Sequence, residues 1–246
     1  MFGKKCNFVK FFNIKEMKRL FVLIASSLLA LPVFAQHEAS PSSVYTSPNG
    51  VFSFDMANHV SWGYDFVKSD DFNPRGSGEV TLNVLGMKLY PSPYFGIETG
   101  LDCKWQYFGT RENEFYLEGA DRLPMVMSWP APGMGKADWH DSSLGVFSLS
   151  VPVFAKAYLG KVWIGGGAEA NFNLTAYTED IIEVGNTRTD VSMTKGKVNR
   201  FTYDFVGMLG YKDVALFAKF YPKNSTFVPE GGVKFNYWTL GVAVFL

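Results

Sequence analysis

Eight stretches of this chain alternate apolar and polar residues with period two, and the connections between them alternate long and short without exception. Period two is the mark of a strand with two different faces. The stretches are 51–66, 79–90, 95–108, 144–158, 162–177, 201–211, 214–221 and 233–246. Over 95–107 one parity reads Phe95, Ile97, Thr99, Leu101, Cys103, Trp105, Tyr107 and the other Gly96, Glu98, Gly100, Asp102, Lys104, Gln106. The second stretch slips phase at Val84 and Leu85, which predicts a bulge. Tight connections at 91–94, 159–161 and 212–213 separate long ones at 67–78, 109–143, 178–200 and 222–232. A meander closed into a barrel, with turns at one rim and loops at the other, produces that pattern. The expected fold is therefore all-β, an eight-stranded antiparallel up-and-down transmembrane β-barrel.

Alternation alone does not say which parity faces outward, because a soluble lipocalin-like ligand carrier has the same period with the faces reversed. Side-chain size decides. The apolar parity carries Phe52, Phe54, Trp62, Trp105, Phe172, Phe201, Phe205 and Phe220, rings that would crowd an eight-stranded lumen and that lipid accepts. The polar parity carries Asp55, His59, Asp65, Lys88, Glu98, Asp102, Lys104, Lys156, Glu169, Asp204, Lys219 and Lys234. Charges in so narrow a space must pair, since an unpaired buried charge costs several kcal/mol. The expectation is a filled, ion-paired lumen. Aromatics at strand ends, Tyr90, Tyr94, Phe95, Tyr158, Tyr177 and Tyr211, suit the two membrane–water interfaces.

The N-terminal sequence fits export. Lys18 and Arg19 precede an apolar run from Leu20 to Leu31 and a small-x-small site ending at Ala35, which reads as a signal peptide over 1–35, with Met17 as an alternative start. The run is shorter than the roughly 20 residues of a membrane helix. Residues 36–49 form a short periplasmic segment and 50–246 the barrel. Without 1–35 the chain holds 17 basic and 22 acidic residues, a net of −5, so no basic stripe remains for nucleic acid. Cys103 is then the lone cysteine, which excludes an intramolecular disulfide.

Motifs that could carry chemistry dissolve on inspection. The run Gly165-Gly166-Gly167 is no phosphate loop, because strand periodicity continues on both sides where a helix N-terminus is needed. His59 and the sequence His140-Asp141-Ser142-Ser143 would permit a barrel hydrolase acting on lipid A or peptides, but nothing fixes a nucleophile, base and orienter together. Asp70-Asp71 and Glu179-Asp180 read as solvated loop carboxylates, and no His/Cys spacing matches a metal site. No cofactor is expected. The 109–143 connection is too apolar for a tether, and its Phe115, Tyr116, Trp129 and Trp139 are the expected contacts for a protein or surface ligand. The other expected partner is outer-membrane lipid, the expected state a monomer, and the expected role structural or interactive at the envelope.

One resemblance can be named. The piece LSVPVFAKAYLGKVWIGGGAEANFNLTA, with Pro152, Lys156 and Tyr158, and the later FVGMLGYKDVALFAKFYP resemble the outer-membrane β-barrel domain family of Bacteroidetes-type bacteria, also described as PorT-like. The end of the chain, with Leu240, Val242, Val244 and Leu246 on one face, is similar to the assembly signal of outer-membrane proteins, although Phe245 is here followed by Leu246. The resemblance implies a bacterial outer-membrane location and a link, in some members, to protein secretion.

Overall fold

The computed structural model describes residues 52–56, 58–130 and 139–246; the proposed leader and the 36–49 segment lie outside the described residues. The elements are β1 (Phe52–Met56), β2 (His59–Ser69), β3 (Gly78–Ser92), β4 (Phe95–Thr110), β5 (Asn113–Glu118), β6 (Leu123–Ser128), β7 (Trp139–Leu159), β8 (Val162–Val184), β9 (Thr187–Gly196), β10 (Phe201–Tyr211), β11 (Val214–Phe220) and β12 (Phe235–Phe245). Strands β2, β3, β4, β7, β8, β10, β11 and β12 pair antiparallel with their neighbours, and β12 pairs back onto β2, closing a ring of eight. The order is that of an up-and-down barrel.

The outward and inward faces follow the alternation. Along β10 every second residue is buried, so Asp204 is fully enclosed while Phe201 and Phe205 are exposed. Phe172 is 52% exposed and Glu169 2%, so the apolar parity faces out, the reverse of a soluble carrier. Exposed Trp62, Tyr64, Phe66, Leu209, Leu216, Phe220, Trp238 and Leu240 form a broad apolar belt. Such a belt is stable only against an apolar surrounding.

Two irregularities reset the alternation. The first expected strand is broken into β1 and β2 at Asn58, whose N–H donates to Asn83 Oδ1 over 3.1 Å. Opposite that break β3 shifts register between Asn83 and Leu85, where the sequence slips phase. The second irregularity, between β7 and β8, skips Leu174: Ser148 pairs with Asn173 but Phe147 with Thr175. Beyond it the inward residues of β8 are Ala176, Thr178 and Asp180. Ala176, expected to face lipid with Phe172, is instead fully buried.

The interior has three layers. Near the tight turns Phe154, Trp163, Val206, Met208 and Phe217 pack together. Trp163 lies flat against the backbone of Gly210, where a Cβ would stand 2.0 Å from the ring, and its indole N–H donates to the Lys212 carbonyl. Charged groups occupy the middle. At the loop end Phe72, Phe108, Phe115, Tyr221, Phe227, Phe235 and Tyr237 form an aromatic core with Leu144 and Val146. The expectation that bulky rings belong outside holds for the belt but fails here. Phe72 and Phe227 enter from the long loops and leave solvent by packing against the rings inside.

Candidate functional site

The charged middle layer is built on five strands, β3, β4, β8, β10 and β11. Lys104 of β4 donates to Glu169 Oε2 over 2.5 Å and to Asp204 Oδ2 over 3.0 Å. Lys219 of β11 reaches Glu79 Oε1 at 2.8 Å and Glu169 Oε2 at 3.0 Å. The Tyr221 hydroxyl and the Gln106 amide both donate to Glu79 Oε2, and Asn171 Nδ2 donates to Asp204 Oδ2 over 2.8 Å. All five charged groups are at most 3% exposed. Towards the turns, Lys156 pairs with Glu98 at 2.6 Å and rests against the rings of Trp163 and Phe245. His59 bonds Asn58 Oδ1 through Nδ1 and lies 3.7 Å from Asp102, while Asp65 accepts from Thr239.

Most of the twelve polar-parity residues are thus gathered inside, with two exceptions and one addition. Lys234 is exposed at the loop rim, because it shares the even, outward parity of Trp238 and Leu240 and not the inward one of Tyr237 and Thr239. The Asp55 side chain lies outside the described residues. Lys88 is half-buried, opposite Glu98 in the β3–β4 register. The addition is Glu79, fully buried at the centre of the network. Its signal was present: before the bulge the inward parity of β3 is odd, Glu79, Thr81 and Asn83, and after it even, Gly86 and Lys88. Assigning one parity to the whole stretch leaves Glu79 out.

The loop end is one folded cap. Hairpin β5–β6 lies on the inner side of the β7–β8 extension, with Phe115 driven into the aromatic core and its N–H donating to Ser142 Oγ over 2.8 Å. Asn73 of the first loop donates to Asn113 and Glu112; Lys197 N–H donates to the Arg122 carbonyl; Val233 N–H of the last loop donates to the Pro124 carbonyl. Every long connection is therefore tied to this hairpin. Strand β9 extends the wall further by pairing with β8. The long 178–200 connection is thus mostly strand.

On the cap, Trp139 is 39% exposed with the Arg111 guanidinium 3.5 Å above its ring, and Trp129 stacks on His140 at 4.2 Å. Tyr116 is half-buried. Phe115, expected as a contact, is 0% exposed and belongs to the core. Sequence proximity could not separate it from its neighbours, since β5 alternates over only six residues.

Among the described residues, His59 and His140 are not brought together with a serine and a carboxylate in an accessible hydrolytic arrangement. His59 sits deep at the turn end, with its ring against Phe245. His140, Ser142 and Asp180 share one inward face of β7 and β8, yet Ser142 is fully buried beneath Phe115. Asp180 is pushed up to about 7, chiefly by burial; the Ser142 hydroxyl opposes the rise, and the Glu114 and Glu179 charges add to it. It is not the solvated carboxylate expected of a loop. The described residues hold no cluster of three His, Cys, Asp or Glu side chains suited to a metal.

Among solved structures, the attachment invasion locus protein Ail of Yersinia pestis, in complex with the heparin analogue sucrose octasulfate, is similar over 79% of this chain and 97% of that one. The identity is 12% and the TM-score 0.34, values that assign neither a family nor an activity. No family model and no curated protein matches the chain, so the PorT-like resemblance rests on the residues quoted for it alone.

Proposed function

We propose that this chain is a bacterial outer-membrane barrel, exported with the 1–35 leader, that binds a protein or surface ligand through its cap and carries out no chemistry there. The apolar belt supports the membrane location, because exposed rings on seven or more strand positions have no other stable surrounding. The tight turns then face the periplasm and the cap faces outside. The observation that carries the binding role is the cap itself. Long loops that merely connect strands need no shared core, yet these are knitted around Phe72, Phe115 and Phe227 and present Arg111 and Trp139 at the surface. A charged aromatic pair on a rigid support suits recognition, because little conformational entropy is lost on binding. The filled interior supports a scaffolding role for the barrel.

Two measurements test this. The unheated protein should migrate differently from the boiled one on a denaturing gel, and recovery in the soluble fraction without detergent would refute the location. A photo-crosslinking residue replacing Trp139 in intact cells should give a discrete protein or saccharide adduct, whereas one replacing Leu216 on the belt should give lipid adducts. Absence of any adduct at position 139, with Leu216 labelling intact, refutes the binding role.

A further inference from the structure

Strand β9 leaves one edge of the wall open. It pairs with β8 on one side, and among the described residues the backbone of 187–193 has no partner on the other. From Thr187 to Ser192 every residue is exposed, on both faces of the ribbon, Val191 by 40%. Further down the strand leans on the cap, where Gly196 lies beside Leu117. The β8–β9 turn is the two-residue Gly185-Asn186, with Gly185 at φ 58°, so Val184 and Thr187 exchange both backbone hydrogen bonds across it. Bonding alternates from there, and the N–H and C=O groups of Arg188, Asp190 and Ser192 point away from β8 to the open edge. Natural sheets blunt such an edge with proline, lysine or a bulge. None of these lies between 187 and 193; Lys195 and the register shift opposite 176–178 come after it.

The two charges on that edge are self-complementary. Arg188 Nε donates to Asp190 Oδ1 over 2.8 Å along the strand, and Arg188 Nη1 lies 3.6 Å from Glu183 across it, so Arg188 and Asp190 stand on one face. A second copy of the edge can pair with it antiparallel, and the register is constrained twice. Residues with free bonding groups must meet each other, which places the two-fold axis on a residue and not between two. An axis at Arg188 or at Asp190 sets like charges opposite, which is destabilising. An axis at Thr189 sets Arg188 of each copy against Asp190 of the other, and about four backbone hydrogen bonds close between them. An axis at Val191 carries each tip down to the half-buried Met193 and Thr194.

The axis relating two antiparallel strands is perpendicular to their sheet. Strand β9 extends the barrel wall, so that axis lies parallel to the membrane and the second copy is inverted. We infer that the β9 edge pairs with the β9 edge of a second copy standing in an apposed outer membrane, with Arg188 against Asp190 in both directions. The inference rests on the outer-membrane reading above and concerns a surface separate from Arg111 and Trp139. An unrelated extended segment would meet the same backbone groups; the order of the charges is what favours a second copy. Each contact is small, and many copies on each surface make it effective.

The chain is folded into phosphatidylcholine vesicles, two populations carrying different dyes are mixed, and aggregation is followed by light scattering and energy transfer. Vesicles bearing the native chain should aggregate. Arg188→Asp and Asp190→Arg each set like charges opposite at both contacts and should slow aggregation about 10-fold. The double exchange should restore it, and so should mixing vesicles of one single variant with those of the other. Asp190→Asn keeps the edge N–H and should retain part of the rate, whereas Asp190→Pro, tolerated on an edge, should abolish it. In a Cys103→Ser background, Thr189→Cys should give disulfide-linked dimers, because position 189 faces itself; Val191→Cys, which faces Thr187 of the other copy, should not. A double exchange that fails to restore aggregation, or Val191→Cys dimers forming as fast as Thr189→Cys dimers, overturns the pairing. Thr189→Cys dimers in vesicles that stay dispersed place both copies in one bilayer and overturn the apposed arrangement. A chain that stays in the aqueous phase refutes the outer-membrane reading and the pairing with it, whereas an inserted native chain whose vesicles stay dispersed refutes only the pairing.

Discussion

Replacing Lys104 by methionine is the sharpest probe of the interior. Lys104, Lys219, Glu79, Glu169 and Asp204 form one contiguous buried group, and two lysines against three acids give a formal charge of −1. Lys104→Met takes this to −2. Asp204 then keeps only the Asn171 amide on Oδ2, with its Oδ1 already buried and without a partner. Breaking a buried pair from one side costs about 3–5 kcal/mol, since the remaining charge is neither solvated nor compensated. Glu169→Gln removes the acid that both lysines share, yet brings the group to neutrality. Lys104 retains Asp204, and Lys219 retains Glu79. That substitution should cost about 1–2 kcal/mol, the loss of charge assistance in its hydrogen bonds. Combining Lys104→Met with Asp204→Asn restores −1 and should recover at least half of the loss, a coupling that a double-mutant cycle measures directly. Urea titration of the chain folded in phosphatidylcholine vesicles, followed by tryptophan fluorescence, supplies the four free energies, that of Asp204→Asn alone included. A Glu169→Gln loss equal to that of Lys104→Met, or a second substitution that adds to the first, would refute the charge reasoning.

Three further outcomes follow from the cap and the wall. Asp180, raised by burial from 3.8 to about 7, binds a proton in the folded cap that it lacks when the cap opens. Its contribution is therefore fully present below about pH 4 and is lost as pH rises towards 7, an upper bound on the order of 4 kcal/mol at 1.36 kcal/mol per pH unit. Proteolysis of the 119–122 turn should accelerate across that window, and Asp180→Asn should flatten the dependence; an unchanged profile in the variant refutes the assignment. Phe115→Ala should loosen the cap by about 3–5 kcal/mol while leaving the urea midpoint of the barrel in place, and a matching fall in both would show that cap and barrel unfold as one. A spin label on Cys103, half-exposed on the outward parity of β4, should collide with oxygen in preference to a water-soluble nickel chelate; the opposite preference would place the β4 wall in water.

The wall of this molecule was legible because each residue of a lipid-facing strand has only two environments to choose from. The parities of β4, β10 and β11 needed no correction, and the tight turns fell where Gly160 and Asp213 mark them. Legibility stopped at the bulges. Leu174 is an unremarkable residue in an apolar row, yet skipping it reverses every side chain of β8 beyond it and turns Thr178 and Asp180 inward. The cap was less legible still, since Phe72, Phe115 and Phe227 lie far apart in sequence and meet only through tertiary packing. Lys234 shows that charge is a poorer guide than parity: it shares the even, outward parity of Trp238, Leu240 and Val242 and is exposed with them.

The interior charges also explain why the ring closes in one register. Antiparallel strands with apolar outer faces would tolerate sliding past one another, because lipid discriminates little between Phe205 at one height and Leu209 at another. A slip of one residue, however, exchanges faces completely. On β10 it would carry Asp204 into lipid, on β8 Glu169 and on β4 Lys104, at about 2–4 kcal/mol for a lysine near the bilayer midplane. A slip of two keeps the faces but parts Glu169 from Asp204, which stand opposite in the β8–β10 register, and strips Lys104 of one partner or the other. Such a buried network adds little stability over apolar packing, and its value lies in making the alternatives worse. The same fixed register sets the height of β7 and β8 above the belt, and with it the seat on which hairpin β5–β6 and the exposed pair Arg111 and Trp139 rest.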